Sequence, residues 1–557
     1  MRLNKKFIAG LILVLLFLSL PLIAPFFQKG YFTTHDGEWA VVRLADMYRE
    51  VRDGQIPPRF SGNLNSGYGY PLFQYAYPMP YYLGLVLYLF QIGLVDSIKI
   101  LFASTVFLSG VAMFFLSRSL WKSNIAGIVS AILYMYAPYR LVDLYVRGSI
   151  GESIASVFFP LILLTMLSLR ERITPVRVVL LSLLTASLVL THNIMAVLFL
   201  VIILGFFIYF LIEKDFLTIK ASLIGIVGGF MLSAYFWIPA LLEKKYILLS
   251  IIPIADRSLH FVSLNQLILP TWGYGTPTDP DAFTYQIGLA HIFVVFLIGV
   301  TFFLKKKDLM RNITTLFFIL ISVFLFLMFP LSKVIWENTP LLHEINYPWT
   351  CLMPIIFLSS IIAGKTAITN FFPLQKIIVG IACVAAIFFG ITYARPNKIV
   401  DNGDGFYFTN DATTTSSKEL MPLWVKDIPQ VRPKNKIEII KGIGNISPLH
   451  ITSHKALFET DLKTDAIIRF NTIYFPQWEW KVDGKNTPYS YNNRVGVMDA
   501  HFTKGHHNIS IVLRDTPIRI ISNSISFVTF VVFVFVIVVR FLELFLKRRI
   551  LIFPYKL

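Results

Sequence analysis

Residues 34–54 read THDGEWAVVRLADMYREVRDG, and three of the first five, His35, Asp36 and Glu38, can hold or move a proton. They closely follow an apolar run, 7–27, that suits hydrocarbon. Charged groups beside a bilayer are costly and are kept where something uses them. A carboxylate there can accept the proton of an attacking hydroxyl. Asp36 is the first candidate base, His35 its orienting partner and Glu38 the reserve. The plain alternative is that Asp36 caps the helix that follows and that Trp39 anchors that helix at the interface. The pattern of this helix expects Trp39 and Val42 toward lipid and Arg43, Asp46 and Arg49 toward water.

Four more stretches carry polar chemistry. In YRLVDLYVRGSIGE (139–152), Arg140 and Arg147 can each present a guanidinium fork to phosphate, with Asp143 and Glu152 to orient them. The structural alternative is an Asp143–Arg147 ion pair on a helix surface. In THN (191–193), His192 is either a phosphate or acceptor contact or a plain turn residue. In SGYGYPLFQYAYPMPYY (66–82), Tyr68 and Tyr70 offer aromatic faces to a sugar ring or to an interfacial belt. In WENTPLLHEINYPWT (336–350), His343 and Glu344 join Glu337 as a supporting group that could take a divalent cation, though the spacing has no zinc signature. Asp279 and Asp281 read as turn residues.

These groups hang on an apolar frame. Of 557 residues, 55% are hydrophobic and only 15% charged, against about 25% charged in soluble proteins. The apolar residues gather into runs of bilayer-spanning length. Candidate spans are 7–27, 98–116, 125–136, 153–169, 176–190, 194–212, 221–241, 287–304, 313–329, 352–364, 377–393 and 520–539. The fold class is therefore a polytopic α-helical membrane protein of about twelve spans. The net charge of +18 lies largely in short basic loops, as the positive-inside rule expects, so nucleic acid is not an expected partner. Cys351 and Cys383 fall inside spans, which excludes a disulfide framework. The first run has no cleavage site and reads as a retained span.

The run 80–95 decides the topology. Read as a surface helix, it leaves Lys5, Lys6, Arg118, Lys122 and the terminal Lys547–Arg549 group on one side, the cytoplasmic one. The long first loop, 28–96, is then external, together with the stretches that hold the candidate residues. Residues 394–519 differ in kind. Alternating runs such as AIIRFNTIYF and the turn VDGKN predict a small external β-sandwich-like domain near the C-terminus. The expected organisation is a transmembrane module over 1–393, the β-rich domain over 394–519, and a last span with a basic cytoplasmic tail over 520–557.

HDGEW, GYPLFQYAYPMPYYLG, YRLVDLYVRGSIGE, LTHN, INYPW, YFPQWEWKVDGK and TKGHHNISIVL together resemble the YfhO-type and "6-pyruvoyl-tetrahydropterin synthase related" bacterial membrane proteins. Both resemble the GT-C superfamily of membrane glycosyltransferases. The resemblance implies a GT-C-like module, a polyprenyl-phosphate-linked sugar as donor, and an Asp in the first external loop as base, which is Asp36 here. It also implies an Arg after the Pro-Trp pair, where this chain has Thr350.

There is no P-loop, no G-x-G-x-x-G, no G-x-S-x-G and no H-E-x-x-H. The expected activity is transfer of a sugar from the lipid carrier to an envelope polymer, lipid or protein at the external face. The alternatives are an envelope-lipid transporter or flippase and a non-catalytic assembly scaffold. Membrane lipids are the surrounding partners. No cofactor is specified beyond the divalent cation considered at His343 and Glu344.

Overall fold

A computed structural model describes residues 4–275, 284–304, 313–369 and 374–552. Asp279 and Asp281 lie outside the described residues. All twelve expected spans fall on helices. Lys5–Ile23, Leu94–Trp121, Ile150–Glu171, Asn193–Ile212, Pro348–Ile368 and Pro517–Ile552 are the longer ones. Three others bend between two helices: Asn124–Met135 to Pro138–Arg147 by 47°, Phe216–Leu232 to Ala234–Leu242 by 69°, and Ile313–Met328 to Pro330–Asn338 by 90°. Among the described residues, six helices are long and apolar enough to cross a membrane, or up to nine with each bent pair as one span. Pro175–Thr191, Leu289–Val300 and Gln375–Ile391 are shorter apolar helices.

The bundle centres on Leu352–Ile368, where 89% of the most apolar stretch is buried. At the rim, only 11% of the most apolar stretch of the last helix is buried. Its exposed Phe527, Phe535 and Phe541 are the apolar surface that a lipid-facing helix presents.

Met79–Leu89 is a helix of 11 residues. At 1.5 Å per residue it is about 16 Å long, half the hydrocarbon thickness. It is shorter than the run 80–95 suggested: residues 90–93 turn the chain, with Gln91 at φ +65°, and Leu94 and Val95 begin the next helix.

The helix Gly37–Arg52 packs on this short one, with Leu44 against Gly84. It does not float between lipid and water as its pattern suggested. Val42 and Asp46 are both buried, and residues 394–436 strap across the helix at Arg43, Tyr48 and Arg49. Along the strap, Ile399–Val400 pairs antiparallel with Tyr31–Phe32, and Thr414 meets Arg43. The hydrophobic periodicity reported a buried face without saying which partner covered the other.

The β module is a sandwich of two antiparallel sheets. One orders Ile437–Lys441, Ala466–Ile473, Val497–Phe502 and Tyr489–Ser490. The other orders Gly444–Ile451, Lys455–Leu462, Gly505–Leu513, Trp478–Val482 and Lys485–Asn486. Phe458, Phe470, Trp478, Trp480 and Ile511 fill the space between them. VDGKN makes the hairpin expected of it, with Asp483 at φ +48° and Gly484 at φ +79°. The strands begin at Ile437, so 394–436 belongs to the strap rather than to the sandwich.

A buried clasp fixes the sandwich's exit to the membrane module. Glu243 accepts from Arg519 Nε at 2.9 Å and Nη2 at 2.8 Å, from Thr516 Oγ1 at 2.5 Å and from Gln74 Nε2 at 3.0 Å.

Candidate functional site

Gly148 brings the first two sequence constellations together. It ends the Pro138–Arg147 turn in the left-handed region, at φ +65°. A Cβ there would lie 2.3 Å from Thr34 Oγ1 and 2.6 Å from the Gly37 nitrogen, so only glycine permits the approach. Two backbone bonds hold the contact: the His35 amide donates to the Val146 carbonyl at 2.9 Å, and the Asp36 amide to the Arg147 carbonyl at 2.8 Å. Gly151 does the same for the third. A Cβ on it would lie 2.6 Å from both the Thr191 carbonyl oxygen and the Tyr77 ring.

Asp36 precedes the helix Gly37–Arg52 but makes no capping bond to it. Thr34 does that work, its Oγ1 accepting from the Gly37 amide at 2.8 Å. The half-buried Asp36 carboxylate is thus not engaged in capping. Its negative charge is felt by the phenols of Tyr77 and Tyr347, which places it near both. His35 Nε2 is turned to the Tyr274 carbonyl at 3.3 Å. Glu38 faces elsewhere, toward Tyr31 and Tyr407, and burial raises its carboxyl above the usual range.

Arg147 is buried in a cage. Nη1 donates to Asp143 Oδ1 at 2.7 Å, to Tyr139 Oη at 3.0 Å and to Glu152. Tyr139 Oη in turn donates to Glu152 Oε1 at 2.8 Å, and Ser153 Oγ to Asp143 Oδ2 at 2.9 Å. The guanidinium carbon lies 4.6 Å from the centre of the Trp349 ring. Two carboxylates therefore already meet this one cation. The Asp143–Arg147 pairing is real, but buried rather than on a solvated helix face.

Arg140 points into the bundle instead. Nη1 reaches Ser109 Oγ at 2.8 Å and the Tyr134 carbonyl at 3.1 Å, and Nη2 reaches Ser156 Oγ at 2.9 Å. With its ring neighbour Tyr134 it is a packing residue, which removes it as a phosphate contact. His192 caps the helix Asn193–Ile212 by accepting from the Met195 amide at Nδ1, 3.2 Å away, which leaves the proton of a neutral imidazole on Nε2. Its ring is 5.1 Å from that of Tyr77.

The tyrosine expected to meet a sugar is not the one that lines this place. Tyr70 is fully buried against Thr414 at 3.2 Å. Tyr68 abuts the sandwich, its carbonyl accepting from the Ile473 amide at 2.9 Å. Tyr77 is the residue that contacts the site, and nothing distinguishes it among the six tyrosines of 66–82. Trp349 and Arg43 were also not singled out. His343 and Glu344 are spent elsewhere: His343 Nε2 on the Glu337 carbonyl at 2.6 Å, and Glu344 on Lys244 at 2.7 Å. Among the described residues no group of three His, Cys, Asp or Glu side chains is placed to hold a metal ion.

Comparison with known proteins gives a curated relative from Lactococcus lactis subsp. cremoris, an uncharacterized protein. It is 23% identical over 252 residues, which are 43% of this chain and 41% of the relative. The chain thus matches about two fifths of that protein's length. Among solved structures, the arabinofuranosyltransferase AftD from Mycobacteria is similar at TM-score 0.45 and 16% identity, over 72% of this chain and 28% of that one. The Archaeoglobus fulgidus oligosaccharyltransferase scores 0.44 at 13% identity, over 75% and 61%. ArnT from Cupriavidus metallidurans, solved with undecaprenyl phosphate, scores 0.33 at 14% identity, over 70% and 76%. These structural likenesses are partial. The family model for the 6-pyruvoyl-tetrahydropterin synthase related domain, a membrane protein, matches residues 73–398. That range holds Tyr77, the Arg147 cage, His192 and Trp349, while Asp36 and Arg43 precede it. It covers more than half of the chain, which belongs to this family of membrane proteins.

Proposed function

We propose that the protein transfers a sugar from a polyprenyl-phosphate carrier to an envelope acceptor at the external face of the membrane, with Asp36 as general base. One observation carries the reading. Asp36 is held at the junction of three loops with a carboxylate that its own helix does not use.

In the proposed reaction an acceptor hydroxyl attacks the anomeric carbon. The new carbon–oxygen bond forms as the bond to the phosphate oxygen breaks. The electron pair leaves with the lipid phosphate, and the hydroxyl proton passes to Asp36. The leaving group is already activated, so the protein's work is placement and proton acceptance. No nucleotide is required, in keeping with the missing nucleotide motifs.

An apolar groove of about 1050 Å³ supports a lipid-borne donor. Val197, Val201, Leu204 and Phe207 line one wall and Ile319 and Phe326 the other. Val197 is little more than one helical turn beyond His192, and the wall from Val197 to Phe207 runs for about 15 Å. An isoprenoid tail laid there would bring its phosphate toward the site.

The test is incubation of the purified, lipid-reconstituted protein with radiolabelled polyprenyl-phosphate sugars and envelope acceptors. Transfer with release of lipid phosphate is the expected result. Lipid-phosphate sugars left intact across the panel, with a labelled lipid moved between leaflets instead, would replace the enzyme by a flippase.

A further inference from the structure

Arg43 lies on the helix Gly37–Arg52, seven residues beyond Asp36. Seven residues are nearly two full turns, so the two residues share a helix face about 10 Å apart. Arg43 is partly exposed, and its partners are neutral. Nε donates to Thr414 Oγ1 at 2.9 Å, Nη2 to the Thr414 carbonyl, and Nη1 to Tyr81 Oη at 3.3 Å. Among the described residues no carboxylate pairs with it. That sets it apart from Arg147, whose charge Asp143 and Glu152 already meet.

The charge balance moves the search for an anion site from Arg147 to Arg43. A phosphate approaching Arg147 must displace a buried carboxylate, and freeing a buried charge is strongly unfavourable. A phosphate approaching Arg43 displaces none. A guanidinium has five N–H donors. The three bonds to Thr414 and Tyr81 leave one on each terminal nitrogen, the pair that can grip two phosphate oxygens. Tyr81 also connects Arg43 to the site. Its ring is parallel to that of Tyr77 at 6.4 Å, and Tyr77 in turn stands 5.1 Å from His192. Burial raises the Tyr77 phenol, and Tyr81, Arg43, Asp36 and Arg147 all act on it, so Tyr77 sits among these charges.

We propose that Arg43 and Tyr81 form the subsite for the phosphate ester of the donor, with the sugar lying between Arg43 and Asp36. This rests on the reading of the substrate as a lipid phosphate. It leaves Arg147 as a positioning residue that holds the 138–152 segment against Asp36.

The rival is that Arg43 only clamps the strap through Thr414. The full chain in nanodiscs is titrated with undecaprenyl phosphate, undecaprenol and inorganic phosphate, as wild type, Arg43→Gln and Thr414→Val. The wild type is expected to prefer undecaprenyl phosphate to undecaprenol by about tenfold or more, the strength of a charge-assisted fork. Arg43→Gln should abolish that preference, and Thr414→Val should keep it. An Arg43→Gln protein that retains the preference overturns the subsite while the lipid-phosphate substrate stands. Equal loss in Thr414→Val and Arg43→Gln also overturns it, in favour of the clamp. A wild type that prefers neither lipid contradicts the lipid-phosphate substrate itself. Inorganic phosphate bound by wild type as tightly as the lipid, and lost in Arg43→Gln, supports the phosphate subsite and assigns it to a soluble donor.

Discussion

Asp36 and Arg147 are joined through their backbones, amide to carbonyl at 2.8 Å, while their side chains have separate partners. The arginine is consumed by Asp143, Glu152 and Tyr139. The aspartate is relieved of capping by Thr34. An inner cage built on Arg147 thereby fixes the position of an outer carboxylate, which is how a site holds a base without neutralising it.

Gly148→Ala tests that joint. A side chain at φ +65° costs about 1–3 kcal/mol, and its Cβ would be forced against Thr34 and Gly37. The thermal midpoint should fall by several degrees. Gly380→Ala is the control: a Cβ there meets nothing within 4 Å, and alanine favours a helix by up to about 1 kcal/mol. Equal midpoints for the two variants would mean that the loops do not meet at Gly148.

Arg147→Met should destabilise by about 3–5 kcal/mol, because it leaves Asp143 and Glu152 buried without their cation. Chemical unfolding in detergent measures it. A loss below about 1 kcal/mol, the size of an exposed pair, would show that the cage is solvated.

The helix Gly37–Arg52 should make the stability of the fold sensitive to pH. Both carboxylate oxygens of Asp46 are buried without a hydrogen-bond partner among the described residues. Burial pushes this carboxyl up to about 6, with Ser61 and Arg49 opposing and Asp53 adding. Glu50, one turn on, is also raised, by burial and then by Asp46. An acid whose folded value exceeds its unfolded one stabilises while protonated. The contribution is complete below about pH 4, the unfolded value, and is lost as pH rises through about 6. Thermal midpoints measured across that window should fall with rising pH, and Asp46→Asn should flatten the slope. An unchanged slope in the variant would place the titration elsewhere.

Much of this was legible in the sequence, and the reasons for the rest are physical. Apolar run length located the long helices of the membrane module, and alternation with a DG turn located the sandwich. Lys5, Arg118 and the other basic residues expect Met79–Leu89 to stay on one surface, and its 11-residue length agrees. A cysteine placed at Ser119 should therefore resist external labelling, and labelling there would invert the topology. His35, Asp36, Arg147 and His192 could be singled out because acid, base and cation types are rare in an apolar chain. Tyr77 was missed because the aromatic residues around it are common. Arg43 and Arg140 were misjudged because charge and spacing do not say which neighbours arrive from residues 109, 156 or 414.

The central claim is that Asp36 accepts the acceptor's proton, and turnover of Asp36→Asn measures it directly. Asparagine matches aspartate in size and caps a helix about as well, but it is a poor base. In the reconstituted protein with a lipid-phosphate sugar that the wild type uses, the account predicts an Asp36→Asn variant with an unchanged thermal midpoint and unchanged lipid-phosphate binding. Its kcat should fall about 10²–10⁴-fold. Turnover within a few-fold of wild type, in a folded variant that binds the donor, would contradict it.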